Sequence, residues 1–144
     1  MSEFSPELLA PHNRESEQAV LGALLTYCDA IDSIGELREA DFFDSAHRLI
    51  FNAITKQAAS GKNWDVITVA ELLETHGKLA YVGGLAYIGS MAQNCPSQKN
   101  IKHYAEIVRE HALRRKIIVA ANELSSIVAK RGDIFEAMDK AQSQ

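Results

Sequence analysis

The sequence predicts an all-α fold, with a globular helical bundle over residues 13–96 and an extended helical hairpin over 97–144. Three observations support this prediction. Apolar residues recur at helical spacing in several separate stretches, N-cap residues stand in front of those stretches, and no strand-like alternation persists. Residues 64–69 have a strand-like composition, but a predicted helix start overlaps their end. Residues 1–12 are predicted to be a flexible leader.

Two helices are predicted at the beginning of the bundle. Asn13 is a good N-cap, and Glu15 and Glu17 follow it in the first turn, where acidic groups complement the helix dipole. The buried face of this helix is predicted to consist of Ala19, Val20, Ala23 and Leu24. A second, shorter helix is expected over residues 29–37.

Two further helices of the bundle are predicted from residues that typically begin or end a helix. Ser45 opens a helix with a regular apolar stripe, and Gly61 is expected to end it. The pair Gly83-Gly84 precedes another helix over residues 85–93.

Between them, a capping box is predicted at Thr68, because Glu71 follows it three residues later. Ile67 and Leu72 are spaced as a hydrophobic staple around this start. The helix that begins there is expected to end at Gly77.

The longest helix is predicted over residues 97–131. Its first half carries an apolar stripe of Ile101, Tyr104, Ala105, Val108 and Ala112. After a basic cluster the stripe resumes with a shifted phase at Ile117, Ile118, Ala121, Leu124 and Val128. Gly132 is expected to end the helix, and Asp133 to cap a final helix that runs to Gln144. Two helices joined by so short a turn form an αα-hairpin.

Composition and charge limit the function classes. The chain has 144 residues, of which 47% are apolar, so it can bury a core. Its net charge of −4 argues against a dedicated DNA-binding module, because phosphate contacts require basic groups. The two cysteines, Cys28 and Cys95, have no zinc-ligand spacing and suit a reducing compartment. Without a signal peptide or a membrane-spanning stretch, the expected location is the cytoplasm.

Motifs for catalysis are missing from the sequence. Neither Gly-Lys pair has the preceding glycine and the following Ser or Thr that a phosphate-binding loop requires. The sequence contains neither a Gly-x-Ser-x-Gly elbow nor a His-Glu-x-x-His helix. His103, Glu106 and Glu110 would share one helix face, which could bind a metal but is better explained as a solvated polar face. No catalytic, cofactor or metal site is therefore predicted.

The hairpin carries more informative features. The cluster Arg114-Arg115-Lys116 could contact nucleic acid or an acidic partner, whereas Lys130-Arg131 is explained by the helix dipole at a C-terminal end. The hairpin also holds more apolar side chains than two helices can bury in each other. Some of them are expected to face the bundle core or, because of the shifted phase, another chain.

The segment from Pro11 to Gly22 (PHNRESEQAVLG) resembles the opening signature of the hexameric replicative helicases of bacteria and their phages, the DnaB type. Further segments similar to that family follow in its order and spacing: residues 41–51, 65–71, 82–87, 94–97 and 101–115. The resemblance covers about residues 11–131, and it is specific because all segments occur together. Cys95 departs from the small or β-branched residue usual before the proline, and residues 125–144 do not match residue by residue.

The resemblance implies an N-terminal collar domain. Hairpins of neighbouring subunits would pair, three such pairs would form the collar of the hexamer, and primase would dock on it. A helicase loader is a further candidate partner. The motor of the family is an ATPase beyond the position of Gln144, so ATP and Mg²⁺ are expected only there, and this chain is expected to be part of a longer protein. We expect no enzymatic activity from this chain alone and weak or absent DNA contact.

The apolar side chains that the hairpin is expected to expose are the candidate residues for pairing and docking, with Tyr87 as a candidate on the bundle side: Ile117, Ile118, Ala121, Leu124, Phe135 and Met138. The alternative hypothesis is an accessory nucleic-acid-binding domain that uses Arg114, Arg115 and Lys116. A free-standing enzyme is the third hypothesis, and no motif supports it.

Overall fold

A computed structural model of the chain describes residues 10–130 and 134–142, and within these ranges it contains helices and turns but no strand. The predicted all-α fold is therefore confirmed. The described α-helices are α1 (Arg14–Thr26), α2 (Ser45–Ala59), α3 (Val66–Thr75), α4 (Gly84–Gln93), α5 (Ile101–Ala129) and α6 (Ile134–Gln142). Short 3₁₀ turns lie at Cys28–Ser33, Glu39–Asp41 and Gln98–Asn100. None of the described helices is long and apolar enough to cross a bilayer.

The chain divides into two compact units within α5. Residues His12–Ala112 form one unit, and Leu113 and the residues after it belong to the other, together with Pro11. The sequence placed this division after residue 96. The structure includes the first half of α5 in the bundle because Ile101, Ala105 and Val108 are buried in its core.

The centre of the larger unit is α1, which packs against α2 and α4. The predicted N-cap is confirmed, since Asn13 Oδ1 accepts the Ser16 N–H at 2.8 Å. The predicted buried face is also confirmed, and Val20, Leu21 and Leu24 are completely excluded from solvent.

A glycine allows α1 and α4 to approach closely. A Cβ atom at Gly22 would overlap the carbonyl oxygen of Met91 and would lie 2.8 Å from the Cβ of Cys95. Both approaches are far closer than van der Waals contact, so only glycine fits at this crossing. The backbone of α4 therefore packs directly on the backbone of α1.

The start of α3 corrects the sequence prediction. The helix begins at Val66, and its N-cap is Asp65, whose carboxylate accepts the Thr68 N–H at 2.9 Å. Thr68 Oγ1 in turn accepts the Asp65 N–H at 2.9 Å, which completes a capping box three residues earlier than predicted. The predicted staple is wrong for the same reason, because Ile67 lies in the first turn of α3 and is 57% exposed.

Other helix boundaries agree with the sequence in outline. Gly61 and Gly77 have positive φ angles of 72° and 69° just after α2 and α3, as expected of residues that end helices. The helix expected over residues 29–37 is instead the 3₁₀ turn Cys28–Ser33. The long helix begins at Ile101, after a short 3₁₀ turn capped by Ser97.

The ends of the chain are described only in part. The predicted leader ends before His12, because this ring stacks on Phe43 at a centroid distance of 4.1 Å. The first nine residues, which make up most of that predicted leader, lie outside the described residues. The predicted stop at Gly132 and cap at Asp133 lie outside them as well.

Candidate protein-interaction surfaces

The second half of α5 leaves large apolar side chains in solvent. Ile117 is 68% exposed, and α5 has no large exposed aliphatic residue before Leu113. Among the residues that the structure describes from Leu113 onward, the large exposed apolar ones are Leu113, Ile117, Ile118, Val119, Val128 and, on α6, Met138. A concentration of exposed apolar side chains on one stretch of helix often marks a contact with another molecule.

Part of this surface follows the spacing of a helix-pairing seam. Ile117, Ala121, Leu124 and Val128 are separated by four, three and four residues, which places them along one face of α5. Leu124 is half-buried, whereas the other three are exposed. We call the residues Ile117, Ala121, Leu124 and Val128 the α5 seam.

Two exposed apolar residues lie away from the α5 seam. At 100° per residue, Ile118 is one step around the helix from Ile117, and Val119 is two steps around it. Val119 is 56% exposed and Ile118 is 41% exposed. A single paired helix covers one stripe only, so these two residues extend the apolar surface beyond what one partner helix would bury.

The final helix carries the two remaining hairpin candidates. Met138 lies in α6 and is 53% exposed. Phe135 belongs to α6, but its side chain is outside the described part of the structure. The proposed roles of both residues therefore remain predictions.

The basic cluster is placed on the surface of α5. Arg114 and Lys116 are exposed, and Arg115 is half-buried. Arg115 Nη1 donates to the Pro11 carbonyl at 2.8 Å, so one member of the cluster has a role within its own unit. Contact with nucleic acid through these residues remains a prediction.

A buried polar network, which the sequence analysis missed, joins α1, α2 and α4. His47 is completely buried, and its Nδ1 lies 2.7 Å from Oε1 of Glu17, which is 2% exposed. The other carboxylate oxygen of Glu17 accepts the Phe43 N–H at 2.6 Å. The opposite ring nitrogen of His47 lies 2.6 Å from the Tyr87 hydroxyl.

Tyr87 is the bundle-side residue proposed from the sequence, and its hydroxyl group is fully hydrogen-bonded within the bundle. Its hydroxyl accepts from Gln18 Nε2 at 3.0 Å and from Arg14 Nη2 at 3.1 Å, besides its contact with His47. The ring is stacked on His47, with centroids 6.0 Å apart. Tyr87 is half-buried, and its role in docking remains a prediction.

An ion pair between Arg14 and Asp44 lies at the outer edge of this network. Burial raises the pKa of Asp44, but the electrostatic interaction with His47, the hydrogen bond from the Ala46 N–H and the charge of Arg14 together outweigh burial and hold the pKa below its ordinary value of 3.8. Asp44 also caps α2 by accepting the Ala46 N–H at 2.8 Å.

A signal for the network is present in the sequence. Glu17 is three residues before Val20 on the buried face of α1, and His47 is three residues before Ile50 on that of α2. A titratable side chain on an apolar face needs a partner, and two such residues on neighbouring helices could have been paired. The exposed Leu113 and Val119 were missed because they fall outside the regular stripe.

The helical bundle and the exposed apolar surface of α5 are typical of a protein–protein interaction module, and the described residues contain no cluster of metal-binding side chains. The family described as DnaB-like helicase N terminal domain matches residues 9–110. The chain belongs to this family.

Curated relatives support the assignment. The chain is 43% identical over 115 residues to the replicative DNA helicase DnaB of Buchnera aphidicola, a match that covers 79% of this chain and 25% of the relative. It is 36% identical over 138 residues to the DnaB of Pasteurella multocida, which covers 94% of this chain and 30% of the relative. The chain thus spans less than a third of the length of these relatives.

Solved structures support the fold independently. The N-terminal domain of the DnaB helicase from Mycobacterium tuberculosis superposes with a TM-score of 0.85 and 33% identity, covering 93% of this chain and 96% of that one. A DnaB-like replicative helicase, studied together with its interactions with primase, superposes with a TM-score of 0.74 and 26% identity. That match covers 91% of this chain and 31% of the helicase. The chain therefore corresponds to the N-terminal domain of a DnaB-like replicative helicase.

Proposed function

We propose that this domain pairs with a second copy of itself through the α5 seam and docks primase, as the collar of a hexameric replicative helicase does. In this proposal three such pairs form the collar, and unwinding belongs to an ATPase motor outside this chain, where ATP and Mg²⁺ bind. The observation that carries the proposal is the exposed apolar surface on the second half of α5.

The spacing of the α5 seam supports pairing of two helices. The alternation of four and three residues is the spacing at which two helices interlock their side chains. Ile117 and Val128, near the two ends of the seam, are 68% and 54% exposed, so a partner helix would bury them over about three turns. Burial of the exposed part of each such side chain stabilises a pair by about 1–2 kcal/mol before the cost of association.

The exposed apolar residues outside the α5 seam support the proposal that a second partner binds here. Ile118 and Val119 would stay in solvent after pairing through Ile117 and Val128, because they lie on other sides of the helix. The primase contact is proposed from the helicase of similar fold whose structure was studied with its interactions with primase. A helicase loader is the other candidate for the same surface.

Sedimentation velocity over a range of concentrations tests the pairing. We expect the wild-type chain to shift from monomer towards dimer as its concentration rises, and Ile117→Asp to remain monomeric under the same conditions. Asn122→Asp is the matched control, since it adds the same charge to an exposed position of α5 away from the seam. A wild-type chain that stays monomeric at the highest concentration, or an equal loss of pairing in Asn122→Asp, would contradict the proposal.

Calorimetric titration with the primase of the same organism tests docking. We expect the wild type to bind and Val119→Asp to bind more weakly while it still dimerises. Tyr87→Ala is the test of the bundle-side candidate. Binding that is unchanged in both variants would remove these residues from the docking surface.

The alternative is nucleic-acid contact through Arg114, Arg115 and Lys116. If these residues contact nucleic acid, the chain should bind single-stranded DNA with an affinity that falls steeply as the salt concentration rises, because counterions are released on binding. The net charge of −4 and the engagement of Arg115 with Pro11 make this the weaker candidate. We expect no binding to single-stranded DNA at low salt, and a salt-dependent affinity that Arg114→Ala reduces would favour the alternative.

A further inference from the structure

The Tyr87 hydroxyl has three polar neighbours but can accept only two hydrogen bonds. Arg14 Nη2 and Gln18 Nε2 carry hydrogens and no free lone pair, so both can only donate to it. Together they use both lone pairs of the hydroxyl oxygen. The hydroxyl hydrogen therefore remains for the third neighbour, His47 Nε2 at 2.6 Å, which must act as an acceptor.

The opposite side of the imidazole is fixed by Glu17. The carboxylate of Glu17 accepts backbone N–H groups from Phe43 at 2.6 Å and from Asp44 at 3.3 Å. An ionised carboxylate only accepts, so His47 Nδ1, 2.7 Å from Oε1, must donate to it. A ring that donates through Nδ1 and accepts through Nε2 is neutral.

We propose that His47 is a proton-sensitive lock between α1, α2 and α4, held as the neutral Nδ1–H tautomer by Glu17 on one side and Tyr87 on the other. A proton on Nε2 would add a third donor to a hydroxyl that has two lone pairs. Either Arg14 or Gln18 would then have to leave Tyr87. Both residues lie on α1 and Tyr87 lies on α4, so uptake of the proton loosens the contact between these helices.

Electrostatic attraction to Glu17 alone would favour the charged form of His47, with a proton on both ring nitrogens. The titratable and charged side chains that contact or interact with His47 are Glu17 on α1, Asp44 at the N-cap of α2 and Tyr87 on α4, and Arg14 on α1 reaches the same Tyr87 hydroxyl. Glu17 touches the ring directly, and a carboxylate beside a buried imidazole stabilises its charged form. In this lock the direction of the hydrogen bonds at Tyr87 overrides the attraction between Glu17 and a charged His47.

Nuclear magnetic resonance of the full chain, labelled with ¹⁵N in its histidines, tests the proposal. The His47 signals are assigned by substitution of the other four histidines in turn. We expect the two ring nitrogens of His47 to show the separated shifts of a neutral Nδ1–H ring at about pH 7.5 and still near pH 6, where a free histidine is mostly charged because its pKa is about 6.5. Merged shifts of an imidazolium at the higher pH, or a neutral Nε2–H ring, would overturn the proposal.

Two substitutions of Gln18 separate hydrogen bonding from charge. Gln18→Glu offers the Tyr87 hydroxyl an acceptor, so the hydroxyl can turn and accept from a charged His47. Gln18→Met removes one donor without adding charge. We expect the charged fraction of His47 near pH 6 to rise in the order wild type, Gln18→Met, Gln18→Glu. If Gln18→Met matches the wild type while Gln18→Glu is charged, charge alone decides the state and the proposal is wrong.

Discussion

Nδ1 of His47 and Oε1 of Glu17 are 2.7 Å apart, and both side chains are buried. The pair connects α1 and α2 inside the bundle. Glu17 also accepts the N–H groups of Phe43 and Asp44, so the segment leading into α2 depends on the same carboxylate. A buried pair of this kind contributes little net stability when intact, but its disruption leaves polar groups without partners.

Removal of the Glu17 carboxylate should therefore destabilise the bundle. We expect Glu17→Ala to lower the free energy of unfolding by about 3–5 kcal/mol, because His47 and two backbone N–H groups lose their acceptor. Glu15 lies on the same helix but is exposed, so Glu15→Ala should lower the free energy of unfolding by less than about 1 kcal/mol. Urea denaturation measures both, and equal effects of the two substitutions would show that Glu17 is not a central acceptor.

Alanine substitutions at two glycines, one on α1 and one on α4, should change the stability of the bundle in opposite directions. Gly22→Ala should destabilise the bundle by about 1–3 kcal/mol, because its Cβ would overlap the Met91 carbonyl oxygen. Gly89 lies in α4, and a Cβ atom added there would have nothing within 4 Å, so Gly89→Ala should stabilise the helix by about 0.5–1 kcal/mol. Thermal unfolding of both variants checks the opposite signs, and a neutral Gly22→Ala would show that the helices can separate at no cost.

The corrected start of α3 is testable by comparing two acidic residues. Asp65→Ala should cost about 1 kcal/mol, because the Thr68 N–H loses its cap. Glu71→Ala should change stability by less than about 0.5 kcal/mol, since Glu71 is exposed and lies beyond the capping box. Chemical denaturation measures both losses of stability. A larger loss for Glu71→Ala than for Asp65→Ala would mean that the helix is capped at Thr68, as the sequence predicts.

The pH dependence of the bundle should include a contribution from Asp44. Its pKa is lowered on folding, so the charged carboxylate stabilises the fold above about pH 3.8, and this stabilisation disappears as pH falls through the lowered pKa. Asp44→Asn can still cap α2 but carries no charge. The difference in melting temperature between wild type and Asp44→Asn should therefore be larger near neutral pH than in strong acid. A constant difference would mean that the charge of Asp44 contributes nothing.

Local signals predicted most of the fold. The cap at Asn13 and the glycines after α2 and α3 act on neighbouring backbone, so sequence alone can place them. The start of α3 was misplaced because Asp65 and Thr68 both suit an N-cap, and Asp65 Oδ1 in fact accepts the Thr68 N–H.

Long-range relationships were harder to predict. The division of the chain within α5 depends on whether Ile101, Ala105 and Val108 meet the core, which helical periodicity does not specify. The pairing of Glu17 with His47 joins residues thirty positions apart, and only the packing of α1 on α2 brings them together. The exposure of the α5 seam likewise depends on what the rest of its unit covers.

The single tryptophan of the chain gives the bundle its own optical signal. Trp64 is 7% exposed, and its indole N–H donates to the Leu24 carbonyl at 2.9 Å. Its emission should move to longer wavelength when residues 12–112 unfold and water reaches the ring. Fluorescence thus reports the bundle alone, whereas circular dichroism reports every helix, and the difference between the two melting curves reports the helices that follow residue 112.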